Sequence, residues 1–145
     1  MIIVFVIDFD GTITSKNTHN LITAEIEKDF SVALDVKKQE EIFQAVHPVG
    51  SAQSWGHVFE SLSNDGHPAG IASFNRYGRY IPHYLNTVIR LSNDRTQQIK
   101  IAAWMPDNPT AANKNLHIQN ILQQMNLQES EVVVVLVDDN PGLSH

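Results

Sequence analysis

Two places in the chain set a pair of carboxylates at the end of an apolar run. Met1 to Ile7 is apolar and branched and leads into Asp8-Phe9-Asp10-Gly11-Thr12, and Glu131 to Val137 is nearly unbroken and ends in Asp138-Asp139-Asn140-Pro141. Each reads as a buried strand that delivers acids and then turns, at Gly11 in the first case. In a parallel sheet the crevice beyond the carboxyl ends of the strands binds ligands, and packing alone explains an Asp there poorly. If the two strands are parallel neighbours, up to four carboxylates converge at one edge of the sheet. Their repulsion would be severe without a cation. Hard oxygen ligands in that number suit Mg2+, which keeps several waters and takes a few carboxylates plus a phosphate. The plainer reading of the first segment is an Asp-rich turn whose acid caps the next segment, since Asp and Gly are ordinary turn residues. The second acidic pair shifts the balance toward chemistry.

These acids need elements to position them, and the pattern supplies an alternation. After a polar loop from Ile13 to Thr18, imperfect helical periodicity runs from about Leu21 to Val46, with Ile22, Ile26, Val36, Ile42, Phe43 and Val46 as its apolar positions. Ser51 is placed to cap a further helix carrying Trp55, Val58, Phe59 and Leu62, which stops at Asn64-Asp65-Gly66. Gly70 to Asn75 reads as a short buried strand, followed by a helix with Ile81, Tyr84, Leu85, Val88 and Ile89 on one side. Ile99 to Met105 is a third strand, and a helix beginning near Lys114 turns Ile118, Ile121, Leu122 and Met125 inward before the last strand. Strands alternating with helices predict a parallel sheet with right-handed crossovers.

Composition narrows the class. The 145 residues are 42% hydrophobic and 18% charged, as in a soluble globular core, and correspond to one domain. Ten Lys and Arg stand against sixteen Asp and Glu, so a groove tracking a nucleic-acid backbone is not expected. The absence of Cys excludes disulfides, thiol nucleophiles and thiolate metal sites. The opening apolar run has no basic region before it and meets acids by Asp8, so it is neither signal peptide nor membrane span. A cytoplasmic protein is expected; secretion without an N-terminal signal is left open. The seven His form no metal-binding signature and read as surface or packing residues. Trp55 with Phe59, and Tyr80, Ile81 and Tyr84, read as core rather than as a binding platform.

The order of these features resembles the haloacid dehalogenase (HAD) superfamily, and in particular its magnesium-dependent phosphotyrosine phosphatases. The superfamily motifs are Asp-x-Asp-Gly-Thr, a Ser or Thr after the second strand, a Lys, and an acidic pair after the fourth strand. Here they read Asp8-Phe9-Asp10-Gly11-Thr12, Ser73-Phe74-Asn75, Lys114 and Asp138-Asp139, spanning the whole chain. The resemblance implies a Rossmann-like three-layer α/β/α fold with a mainly parallel sheet. It covers residues 1–145 as a single catalytic domain; the chain stops eight residues past Val137, where doubly wound sheets usually have a further element, so the domain is expected to be shortened or the N-terminal part of a longer protein.

In that frame Asp8 attacks phosphorus and forms an aspartyl-phosphate, splitting hydrolysis into two displacements. Asp10 protonates the leaving oxygen and then activates water, work that wants a pKa near neutrality. Mg2+ is expected on the Asp8 and Asp139 carboxylates and the Asp10 backbone carbonyl, with Asp138 in support. Ser73 and Lys114 are expected to bind the phosphate oxygens, with Gly11, Thr12 and Asn75 beside them. Ser73 could instead be a strand-end hydroxyl satisfied locally, and Lys114 a solvated surface charge. Lys100, within a strand pattern, is the weaker rival for the family Lys.

Several activities share this motif set. Dehalogenases lack the second acid and ion pumps carry Lys in its place, so Asp10 favours a phosphatase or phosphotransferase. The spacing from Asp10 to Ser73, and from there to Ile99, leaves room for at most a small cap. An open site admits macromolecules, so a phosphotyrosine protein is the leading substrate, ahead of a small phosphometabolite and, more distantly, nucleic-acid ends. An inactive HAD-fold binding module is the reading from another class.

Overall fold

The computed structural model describes residues 1–103 and 113–138. Four strands form one sheet: β1 (Ile2–Asp8), β2 (Ala69–Ser73), β3 (Lys100–Ala103) and β4 (Val132–Val137), in the order β3-β2-β1-β4 with all pairs parallel. Every connection is therefore a crossover, and helices supply it: α1 (Thr18–Lys28), α2 (Val36–Gln44) and α3 (Ala52–Asn64) before β2, α4 (Ile81–Thr87) and α5 (Asn93–Gln98) before β3, and α6 (Lys114–Gln124) before β4. The result is the three-layer α/β/α arrangement that strand–helix alternation implies.

The period-2 geometry of the strands sorts β1 between the two outer layers. Ile7, with Phe9 just beyond, joins Ile22, Phe43, Phe59, Ile71, Tyr84 and Leu85 in one buried cluster, while Val4 and Val6 join Ala72, Ile121 and Leu122 in the other. Phe9 packs against Phe43 and Tyr84, stacked on the first ring and edge-on to the second, with centroids 5.4 and 5.3 Å away. Tyr84 donates its hydroxyl to the Val46 carbonyl at 2.7 Å, so its buried polar end is satisfied. On the second face α6 comes close enough to β2 that a Cβ at Gly70 would lie 2.6 Å from Ile121 Cγ2.

The helical stretch expected from Leu21 to Val46 is interrupted. Asp29 accepts from the Ser31 amide and starts a 3-10 turn at Phe30–Leu34, and Asp35 accepts from the Lys38 amide and starts α2 afresh. Short carboxylates that bond nearby amides compete with helix continuation. The restart changes the helical phase, and Val36 is exposed instead of inward. Val58 is likewise exposed, while Phe59 is buried. Ser51 caps α3 as expected, and Gly66 follows its end at φ +75°. The short α5 has no counterpart in the sequence reading: its six residues contain no apolar position, so no periodicity announces it. Along β4, Val133 and Val135 are exposed, as is Ile3 beside them on β1. Among the described residues no helix is long and apolar enough to cross a membrane.

Candidate active site

The expected acids begin at the carboxyl end of the sheet. Asp8 closes β1 and pairs in register with Ala72 of β2; on the other side Ile7 pairs with Val137, so Asp138 follows as the next position beside Asp8. Asp139 lies outside the described residues. Beyond Asp8 the chain folds into a tight turn around the Phe9 carbonyl, which accepts from the amides of Thr12, Ile13 and Thr14 at 3.3, 2.9 and 3.1 Å. Gly11 sits in it at φ +80°, a conformation that costs an L-residue roughly 1–2 kcal/mol. Its amide is directed at Thr14 Oγ1, 3.3 Å away. The Thr12 hydroxyl is buried without a hydrogen-bond partner. An orphaned buried hydroxyl costs on the order of 1–3 kcal/mol.

Lys114 reaches the site because Asn113 caps α6 and makes Lys114 its first residue. Its ammonium stands 3.5 Å from Asp8 Oδ1 and donates to the Ala72 carbonyl at 3.2 Å, with both charged side chains largely shielded from water. The same nitrogen lies 4.7 Å from the centre of the Phe74 ring. Lys100, the rival, is at the opposite end of its strand and donates to the Gln97 carbonyl.

The Asp10 carboxyl is held by α1 and by the loop after β2. Its Oδ1 accepts from the Thr18 amide at 2.9 Å and the Thr18 hydroxyl at 2.7 Å, and its Oδ2 accepts from Asn75 Nδ2 at 2.9 Å. Asn75 Nδ2 also donates to Thr18 Oγ1 at 2.6 Å, while Asn75 Oδ1 accepts from the Tyr77 amide. Burial raises the Asp10 carboxyl pKa from its ordinary value, against the opposing pull of the Thr18 and Asn75 donors and of His19. A fixed carboxyl with a raised pKa is suited to proton transfer.

The structure therefore brings Asp8, Asp10, Gly11, Thr12, Ser73, Asn75, Lys114 and Asp138 to one end of the sheet. Asn75 is almost fully buried, and its side-chain amide donates to Asp10 and Thr18, which ties the loop after β2 to the Asp10 carboxyl. Ser73 is also buried, and its hydroxyl oxygen accepts from the Asn75 amide at 3.1 Å, which holds the loop and leaves the hydroxyl proton available. Thr18 escapes sequence reasoning because its stretch reads as a polar loop; Asn17, which caps α1 by accepting from the Asn20 amide, is the signal for a helix starting there. His19, which reads in the sequence as a surface or packing residue, borders the site with its ring 5.5 Å from Tyr77.

Among the described residues no three His, Asp or Glu side chains gather as a metal cluster. Neighbouring Asp8 and Asp138 still fit Mg2+, which is commonly held by one or two carboxylates with the rest supplied by phosphate and water.

No protein-family model matches the chain, and no curated protein matches it. Among solved structures it is similar to the Legionella pneumophila effector Ceg4 with an N-terminal yeast Hog1p sequence, at 15% identity and a TM-score of 0.47, over 97% of this chain and 88% of that one. At that level of likeness nothing about activity passes from one chain to the other.

Proposed function

We propose that the chain is a phosphatase of the haloacid dehalogenase type, which hydrolyses phosphomonoesters through an aspartyl-phosphate on Asp8. The observation that carries this reading is the placement of the Lys114 ammonium 3.5 Å from Asp8 while Asp10, two residues on, is locked by Thr18 and Asn75. A nucleophile, a cation for the phosphate oxygens and a separately held acid are the parts that phosphoryl transfer requires.

Asp8 attacks phosphorus and the P–O bond to the leaving group breaks. Asp10, in its protonated form, gives its proton to the departing oxygen. In the second half Asp10 takes a proton from water, whose oxygen attacks the phosphorus of the aspartyl-phosphate, returning Asp8 and releasing phosphate. Lys114 and the Thr12 hydroxyl bind the non-bridging oxygens. Asp8 and Asp138, with the Asp10 carbonyl and Asp139, would hold Mg2+, whose charge lowers the repulsion between carboxylate and phosphate. The favoured substrate is a phosphotyrosine side chain, long enough to reach Asp8 from a protein surface.

Hydrolysis of an aryl phosphate, measured with Mg2+ and with excess chelator, tests the reading. Activity is expected only with the metal, and Asp8→Asn is expected to abolish it while leaving the fold intact, since the exchange preserves volume. Full turnover in chelator, or substantial turnover by Asp8→Asn, overturns the mechanism. A sugar phosphate preferred tenfold over a phosphotyrosine peptide overturns the substrate choice.

A further inference from the structure

Phe74 is placed unlike its neighbours. Ser73 and Asn75 on either side are 1% exposed, whereas Phe74 is 44% exposed. An exposed aromatic ring is ordinary by itself; its surroundings are not. The ring rests on His117 of α6, with centroids 5.2 Å apart, and on the Lys114 ammonium at 4.7 Å. That ammonium is the one 3.5 Å from Asp8 Oδ1, so a single charged group separates the ring from the proposed nucleophile. Contact with His117 and Lys114 holds the ring in place, next to the ammonium that stands beside Asp8.

We infer that Phe74 is the residue that selects aryl over short alkyl phosphates, by packing against the substrate's own ring when the phosphate sits on Lys114. The inference rests on the phosphatase reading and deepens it. Ring pairs gain from apolar burial and from their quadrupoles, and a fixed ring gains more because little freedom is lost on binding. A phosphoserine side chain has no ring to offer.

The test uses two peptides of identical sequence, one carrying phosphotyrosine and one phosphoserine, with acetyl phosphate as a substrate that reports the chemistry alone. In Phe74→Ala the phosphotyrosine-to-phosphoserine ratio of kcat/KM is expected to fall about tenfold, chiefly through KM, with acetyl phosphate turnover held within about threefold. Phe74→Leu, which restores apolar cover without a π-face, is expected to lie between the two. Binding of the phosphotyrosine peptide to Asp8→Asn and to Asp8→Asn with Phe74→Ala gives the same comparison without turnover. A ratio unchanged in Phe74→Ala, with wild-type activity present, refutes the role of Phe74 alone. A wild-type protein that hydrolyses none of the three substrates refutes the phosphatase reading and this inference with it. Equal loss on all three substrates makes Phe74 a support for Lys114 and overturns its role in selection.

Discussion

Replacing Thr18 by Val probes the structure independently of any assigned activity. The exchange is close to isosteric and removes one hydroxyl, which donates to Asp10 Oδ1 at 2.7 Å and accepts from Asn75 Nδ2 at 2.6 Å. The Thr18 amide at 2.9 Å and the second Asn75 bond at 2.9 Å survive. A hydrogen bond to a charged acceptor contributes about 1.5–3 kcal/mol and one to a neutral acceptor about 1 kcal/mol, so the loss depends on whether Asp10 is ionised. The Thr18 hydroxyl favours the ionised form, and removing it lifts an already raised Asp10 pKa further. The variant then holds its proton to higher pH than the wild type, and linkage makes its stability deficit grow as pH rises through the two folded-state values. Urea unfolding from pH 4 to 8, in chelator, should show a deficit of about 2 kcal/mol at the acid end, where two neutral bonds are lost, and about 3 kcal/mol at the alkaline end, where the bond to Asp10 is to a charged acceptor. The larger figure corresponds to roughly 9–12 °C in Tm for a chain of this length. Thr18→Ser keeps the hydroxyl and loses only a buried methyl, at about 1 kcal/mol independent of pH. A Val deficit that is flat with pH would show that the hydroxyl does not act through the Asp10 charge.

Two other perturbations test the site and its frame. Asp10 has its pKa raised by burial, so its contribution to stability is full below the ordinary carboxylate value of about 3.9 and is lost as pH rises through the raised folded-state value. Asp10→Asn cannot titrate, so the stability of wild type minus variant should fall from pH 4 toward neutrality; urea midpoints that diverge in the wild type's favour would mean that the donors outweigh burial. In the frame, Gly70→Ala drives a Cβ into Ile121 on α6, at about 1–3 kcal/mol for overpacking. Ile121→Ala alone should cost about 2–5 kcal/mol, and the double variant less than the sum by about 1 kcal/mol or more, because the new methyl enters the space vacated. Strict additivity in that cycle would place the strain elsewhere, the Lys100 carbonyl at 3.2 Å being the other neighbour.

Local chemistry in the sequence was enough to define the strands and the positions of their acids. Branched apolar runs ending in Asp8 and Asp138 form β1 and β4 because such residues suit a buried, pleated surface, and the intervening helical periods force the parallel pairing. Ser51 and Gly66 bound α3 for the same local reason, since capping involves only residues a few positions apart. Partnerships that depend on strand order could not be read this way. Lys114 meets Asp8 across 106 positions, and Asn75 meets Asp10 across 65, only because β2 lies beside β1 and α6 packs over the face to which Asp8 points. That same adjacency joins Asn75 to the Asp10 carboxyl and brings in Thr18, whose stretch reads as loop. It also separates Lys114 from Lys100, which differ little as sequence but stand at opposite ends of the sheet. Hydrophobic periodicity says which face of an element is buried; which side chains then converge depends on how the elements are stacked, a property of the whole chain that no local window contains.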